Sequence, residues 1–138
     1  MLLCYLFESK TKLLKVVPIY IVFICSAVAN LITQNNGNQI LDKWISDDKT
    51  MMVEVFKENS KYSAKIIEAK NKQDIGKLIV WGLLYNDVEE EWSGGKVKLP
   101  DMKHSANCYV KVNNDKLIIT GYHGLRLFGS SQTYSRNK

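Results

Sequence analysis

The sequence predicts an all-β fold: an antiparallel meander of about eight strands closed into a small barrel, preceded by an N-terminal hydrophobic signal segment. Three observations predict it. From residue 40 onward the chain breaks into short segments rich in β-branched and aromatic residues. Turn-forming residues separate these segments at hairpin length. Several of the segments alternate apolar with polar residues, which is the pattern of a strand with one face on a core. At 46% hydrophobic residues over 138, the chain has enough apolar surface for one self-sufficient core.

Residues 1–29 stand apart from that domain. Lys10, Lys12 and Lys15 precede the apolar run from Val16 to Ala29, which ends in Ala27-Val28-Ala29. A basic region, a short hydrophobic stretch and an A-x-A site make a signal peptide, so cleavage is expected near Ala29 and export to the periplasm or exterior follows. The competing reading is an uncleaved anchor, which draws on the apolar MLLCYLF at the start. Against it, the run is shorter than the roughly 20 residues that span a bilayer and contains Pro18. A lipoprotein would use Cys25, but Ile24 stands where a small residue is required. Membrane contact is therefore expected only through this segment if it stays uncleaved. Residues 30–39 read as a flexible linker, and 40–138 as the barrel domain.

The strand segments in order are ILDKWIS, MMVEVFK, KYSAKIIEA, KLIVWGLLY, WSGGKVKLP, ANCYVKV, DKLIITGY and LRLFGSSQTYSR. The connectors at 58–59, 86–90 and 113–115 carry Asn, Asp and Glu and suit hairpins. LIVWGLLY does not alternate and is expected to be covered on both sides or to face a partner. An open sheet of this size would leave unpaired edges and a bare apolar face; closure removes both. Glycines should sit where the barrel bends: Gly94 and Gly95 after Trp92, then Gly121, Gly124 and Gly129, with a tight His-Gly corner joining the last two strands and Gly129 kinking the second.

The chemistry-bearing residues point away from catalysis. Cys108 is the lone cysteine outside the leader and shares a strand face with Val110 and Val112, so it reads as a buried thiol without a disulfide partner. His104 and His123 are too few for a zinc set, and no serine lies in a nucleophile motif. Glu89, Glu90 and Glu91 read as a solvated hairpin tip, because adjacent strand residues face opposite ways. The net charge of +5 owes much to the leader lysines, and the rest are spread among acids, which excludes a nucleic-acid stripe. No metal or cofactor is implied.

Three motifs carry a family resemblance: W-x-G-G at Trp92, Gly94 and Gly95; G-Y-x-G at Gly121, Tyr122 and Gly124; and the closing FGSSQTYSR. From about Ile40 to Arg136 the chain resembles the exported bacterial family known as domain of unknown function 2147, whose members resemble lipocalins. The closing segment is similar to the family's F-G-R-T-Q-x-W-x-R, with Ser130 for Arg and Tyr134 for Trp. Asp42-Lys43-Trp44 stands for Gly-x-Trp, the 70–76 loop is shorter, and MKHSAN replaces a Gly-Lys turn. The resemblance implies a lipocalin-like barrel in which Trp44 on the first strand packs under Arg136 on the last, with Tyr134 extending that closure.

The leading functional expectation is a non-enzymatic exported barrel that binds a small apolar or amphipathic molecule, lined by Trp44, Trp81, Tyr85 and Tyr122. Trp44, Trp81, Trp92, Met51 and Met52 could line such a cavity or equally fill a packed core. A second expectation is an envelope protein or glycan interaction module using a barrel edge or the loops at 70–76 and 101–106. A hydrolase ranks last.

Overall fold

A computed structural model describes residues 36–138. Eight strands, β1 (Lys43–Ser46), β2 (Met51–Glu58), β3 (Lys61–Ala69), β4 (Leu78–Asn86), β5 (Glu91–Val97), β6 (Ala106–Asn113), β7 (Lys116–Tyr122) and β8 (Ser130–Arg136), form a closed antiparallel barrel in sequence order. The signal-peptide expectation lies outside the described residues. The first and last strands pair Trp44 with Arg136 and Ser46 with Tyr134, so no strand edge is left open.

Alternation decides the inside. Val53 and Val55, Tyr62, Ala64 and Ile66, and Ala106, Cys108 and Val110 point inward and are buried, while their neighbours are at least partly exposed. Tight turns hold the register. Asn59 and Ser60 both adopt positive φ (48° and 66°), the conformation of a two-residue hairpin whose twist matches its strands.

The expectation for LIVWGLLY is corrected. Register shifts against β3 on either side of Val80 each insert an extra residue into β4. Ile79 and Val80 are therefore both buried, whereas Leu78 and Leu84 are about half exposed. The lost alternation reflects bulges and not cover on two faces.

The glycines have separate jobs. Gly94 (φ 77°) lies in a bulge where β5 shifts register against β6 between Trp92 and Gly95. Gly95 and Gly121 face the interior opposite Cys108 and allow close approach: a Cβ on Gly95 would lie 2.7 Å from the Trp81 carbonyl oxygen, and one on Gly121 2.9 Å from Val97. Gly124 sits at positive φ in the β7–β8 connection. Gly129 precedes β8 instead of kinking it, and a Cβ there would meet Thr120 at 2.7 Å. The tight corner is likewise corrected. Residues 123–129 form a longer loop with a 3₁₀ turn at Arg126–Phe128, because the β7–β8 ladder ends at the Gly121–Ser130 pair and LRLF has no strand partner.

A further correction concerns 36–39. Asn36–Ile40 forms a 3₁₀ turn that belongs to the domain, with Gly37 and Ile40 buried. In an antiparallel meander this turn lies at the end of the barrel that carries the β2–β3, β4–β5 and β6–β7 hairpins. The other four connections surround the opposite end. One end is plugged, and the other is the mouth.

Candidate ligand site at the barrel mouth

The plugged end takes two of the four aromatic residues assigned to ligand lining. Trp44 is fully buried, its indole Nε1 donates to the Ile40 carbonyl at 3.0 Å, and the Arg136 guanidinium lies 4.4 Å from its ring centroid. Arg136 in turn pairs with Asp42 and donates to the Gln39 carbonyl at 3.2 Å. Trp92 is equally buried and donates to the Gly37 carbonyl at 3.0 Å. Tyr85 stacks at 4.8 Å on Trp92, and the Tyr62 hydroxyl donates to Asn38. A buried indole N–H needs an acceptor, and the 3₁₀ turn supplies carbonyls to both tryptophans. Trp44 and Tyr85 are thus floor and packing, not lining.

Trp81 pairs with Lys96 on the outer wall and is half-buried there. Tyr122 pairs with Asn107, packs 6.2 Å from Tyr109 and also borders the mouth. Met51 and Met52 flank a shallow outer groove with Ile45 and Glu68, and Met51 also packs against the core and borders a concavity on the mouth side with Ile66 and Leu99. Of the four assigned lining residues, Tyr122 alone reaches the mouth.

The mouth itself was not legible. Val97, Leu99, Met102, Ala106, Ile119 and Phe128 wall a concavity of about 390 Å³, with Asp101, His123, Ser130 and Gln132 as polar members. A second concavity of about 280 Å³ adjoins it and shares Leu99, Asp101 and Gln132; Asp48, Lys70 and Asp74 join it from the β1–β2 and β3–β4 connections. The loops at 70–76 and 101–106 thus both reach the mouth. Apolar walls with a few convergent polar groups are the usual make-up of a small-molecule site, and this volume lies within the range of such sites. Strand periodicity places Val97, Ala106 and Ile119 on inward phases, but Leu99, Met102 and Phe128 come from the connections, whose course no strand period dictates.

Beneath the mouth, Tyr134 is fully buried and its hydroxyl donates to Gln132 Oε1 at 3.1 Å. Burial, then the charges of Asp48 and Asp101, push this phenol up to about 12. Cys108 has no accessible surface, and burial raises its thiol to about 12, which disfavours the reactive thiolate at neutral pH.

The acidic hairpin tip is corrected in one position. Glu89 and Glu90 are exposed, but Glu91 opens β5 and is buried. Arg126 reaches it from the β7–β8 loop at 2.5 Å, lies 4.0 Å over the Tyr109 ring and meets Glu89 at 3.7 Å; Lys111 is 3.7 Å from Glu91. No sequence signal separates Glu91 from its neighbours. Among the described residues no group of three His, Cys, Asp or Glu side chains could hold a metal ion, and His104 and His123 are both exposed.

Comparison with known proteins matches this architecture. The family model described as "Uncharacterized protein conserved in bacteria (DUF2147)" covers residues 42–136. Among solved structures the chain is similar to protein HP1028 of Helicobacter pylori, described as belonging to the lipocalin family. That match has a TM-score of 0.57 and 16% identity and covers 72% of this chain and 83% of that one; at such identity it shows a shared fold alone. No curated protein matches the chain. A family model that spans every strand of a closed eight-stranded barrel places this chain in the bacterial family DUF2147, with a lipocalin-like fold.

Proposed function

We propose that this protein is a non-enzymatic barrel that holds one small apolar or amphipathic molecule at its mouth. The observation that carries the reading is the apolar-walled concavity of about 390 Å³ opposite the plugged end. The neutral dye N-phenyl-1-naphthylamine tests it. Its fluorescence should rise saturably on binding, and Ser130→Trp, which adds bulk at an exposed lining position, should abolish the rise without lowering the unfolding midpoint. A non-saturating signal, or one that Ser130→Trp leaves intact, overturns the reading.

We also propose export, with a mature chain that starts at Asn30, on the strength of the A-x-A site ending at Ala29. N-terminal sequencing of the native protein decides between this and an intact, membrane-anchored Met1 terminus.

An envelope interaction module is the second reading. One observation favours it: Leu125, Leu127 and Phe128 are 69%, 86% and 75% exposed on a single loop.

A further inference from the structure

The mouth has a definite charge character, and the inference drawn from it rests on the ligand-binding reading above. Its main concavity is apolar on most sides, and Asp101 is its one aspartate or glutamate; the other ionisable members are Tyr122 and His123. The adjoining concavity adds Asp48 and Asp74 against Lys70. These carboxylates are not equivalent. Asp74 is paired with Lys77 at 2.6 Å. Asp48 accepts from the Ser46 hydroxyl at 2.5 Å and from the Thr50 hydroxyl and backbone N–H at 2.8 and 3.1 Å, and these bonds hold it below its ordinary value.

Asp101, among the described residues, takes part in no ion pair or side-chain hydrogen bond, and it borders both concavities together with Leu99 and Gln132. Its charge and that of Asp48 are felt as deep as the Tyr134 hydroxyl. A tail lying along Ile119 and Val97 would therefore carry its head group toward an uncompensated carboxylate.

We propose that the mouth selects an amphiphile with a cationic head, an alkylammonium in its simplest form, and that Asp101 is the residue that receives it. A carboxylate amphiphile of the same tail would meet like charge at the same point, and specificity is the difference between those two affinities. Attraction for one head and repulsion of the other should separate them by tenfold or more.

Displacement of N-phenyl-1-naphthylamine by dodecylamine, dodecanol and dodecanoate, at pH 7 and below their micellar concentrations, tests this. The amine should bind at least tenfold tighter than the carboxylate, with the alcohol between them. Asp101→Asn should bring amine and carboxylate within about threefold, whereas Asp87→Asn, the same charge change on the hairpin at the plugged end, should leave the preference intact. If dodecanoate binds as well as the amine, or Asp101→Asn leaves the preference unchanged, the head-group assignment falls while the mouth remains a site. If none of the three displaces the dye and the dye itself does not saturate, the site reading falls with it.

Discussion

At the scale of single residues, two buried weak acids tie stability to pH. Cys108 and Tyr134 face the interior, and burial raises both to about 12 from ordinary values of 9.0 and 10.0, outweighing the opposing charge of Lys96 at Cys108. The unfolded chain therefore loses these protons at lower pH than the folded one. Their stabilising contribution is complete below about 9 and is lost as pH rises toward 12. Thermal unfolding followed from pH 7 to 11 should show the midpoint falling above about 9, and Tyr134→Phe together with Cys108→Ala should flatten that fall. Native Cys108 should also resist thiol reagents until the barrel unfolds. Fast labelling at pH 8 would mean that the strand face is open. Cys108→Ser, which buries a hydroxyl in place of the thiol, should cost roughly 1–3 kcal/mol.

At the scale of elements, one ion pair ties the β7–β8 loop to the barrel wall. LRLF has the composition of a strand, yet it lies outside the sheet, where Arg126 meets Glu91 and Tyr109 on the outer wall. Glu91 is buried, with its side chain 3% exposed, while Arg126 is 42% exposed. Removing a partner from a buried pair costs about 3–5 kcal/mol, and the exposure of Arg126 together with the nearby Lys111 reduces this to roughly 1–2 kcal/mol. Arg126→Ala should lower stability by that amount and speed hydrogen exchange in residues 123–129. Arg126→Lys should restore part of the stability, since a lysine keeps the charge but not the planar contact over Tyr109. Unchanged exchange in the loop after Arg126→Ala would show that Glu91 does not hold it.

At the scale of the whole molecule, closure at the β1–β8 seam joins the two ends of the meander. Trp44 and Arg136 lie opposite each other in register, and the guanidinium covers the indole while Asp42, Asp115 and the Gln39 carbonyl hold it in place. A cation over a partly desolvated indole contributes about 0.5–2 kcal/mol. Trp44→Phe and Arg136→Ala should each destabilise the barrel, and the double variant should lose less than their sum by about that coupling. Strict additivity would leave the contact without energetic weight. Neither substitution should change dye binding, because Trp44 and Arg136 lie at the plugged end and the concavity lies at the mouth.

The order of residues along the chain was enough to determine strand identity and number, the antiparallel meander and the inward phase of Cys108, because hydrophobic period and turn chemistry are local properties. It was not enough to determine which aromatic residues meet a ligand. Trp44, Tyr85 and Tyr122 look alike as residues between strand positions, yet two lie at the plugged end and one at the mouth. That difference depends on which end of the barrel the 36–40 turn occupies. The bulges in β4 and the burial of Glu91 escaped for a related reason: each is set by a partner distant in sequence, β3 in one case and Arg126 in the other. The mouth is the clearest instance, since its walls come from β5, β6, β7, β8 and also from Leu99, Met102 and Phe128 in their connections, whose positions depend on how those loops fold back over the barrel end.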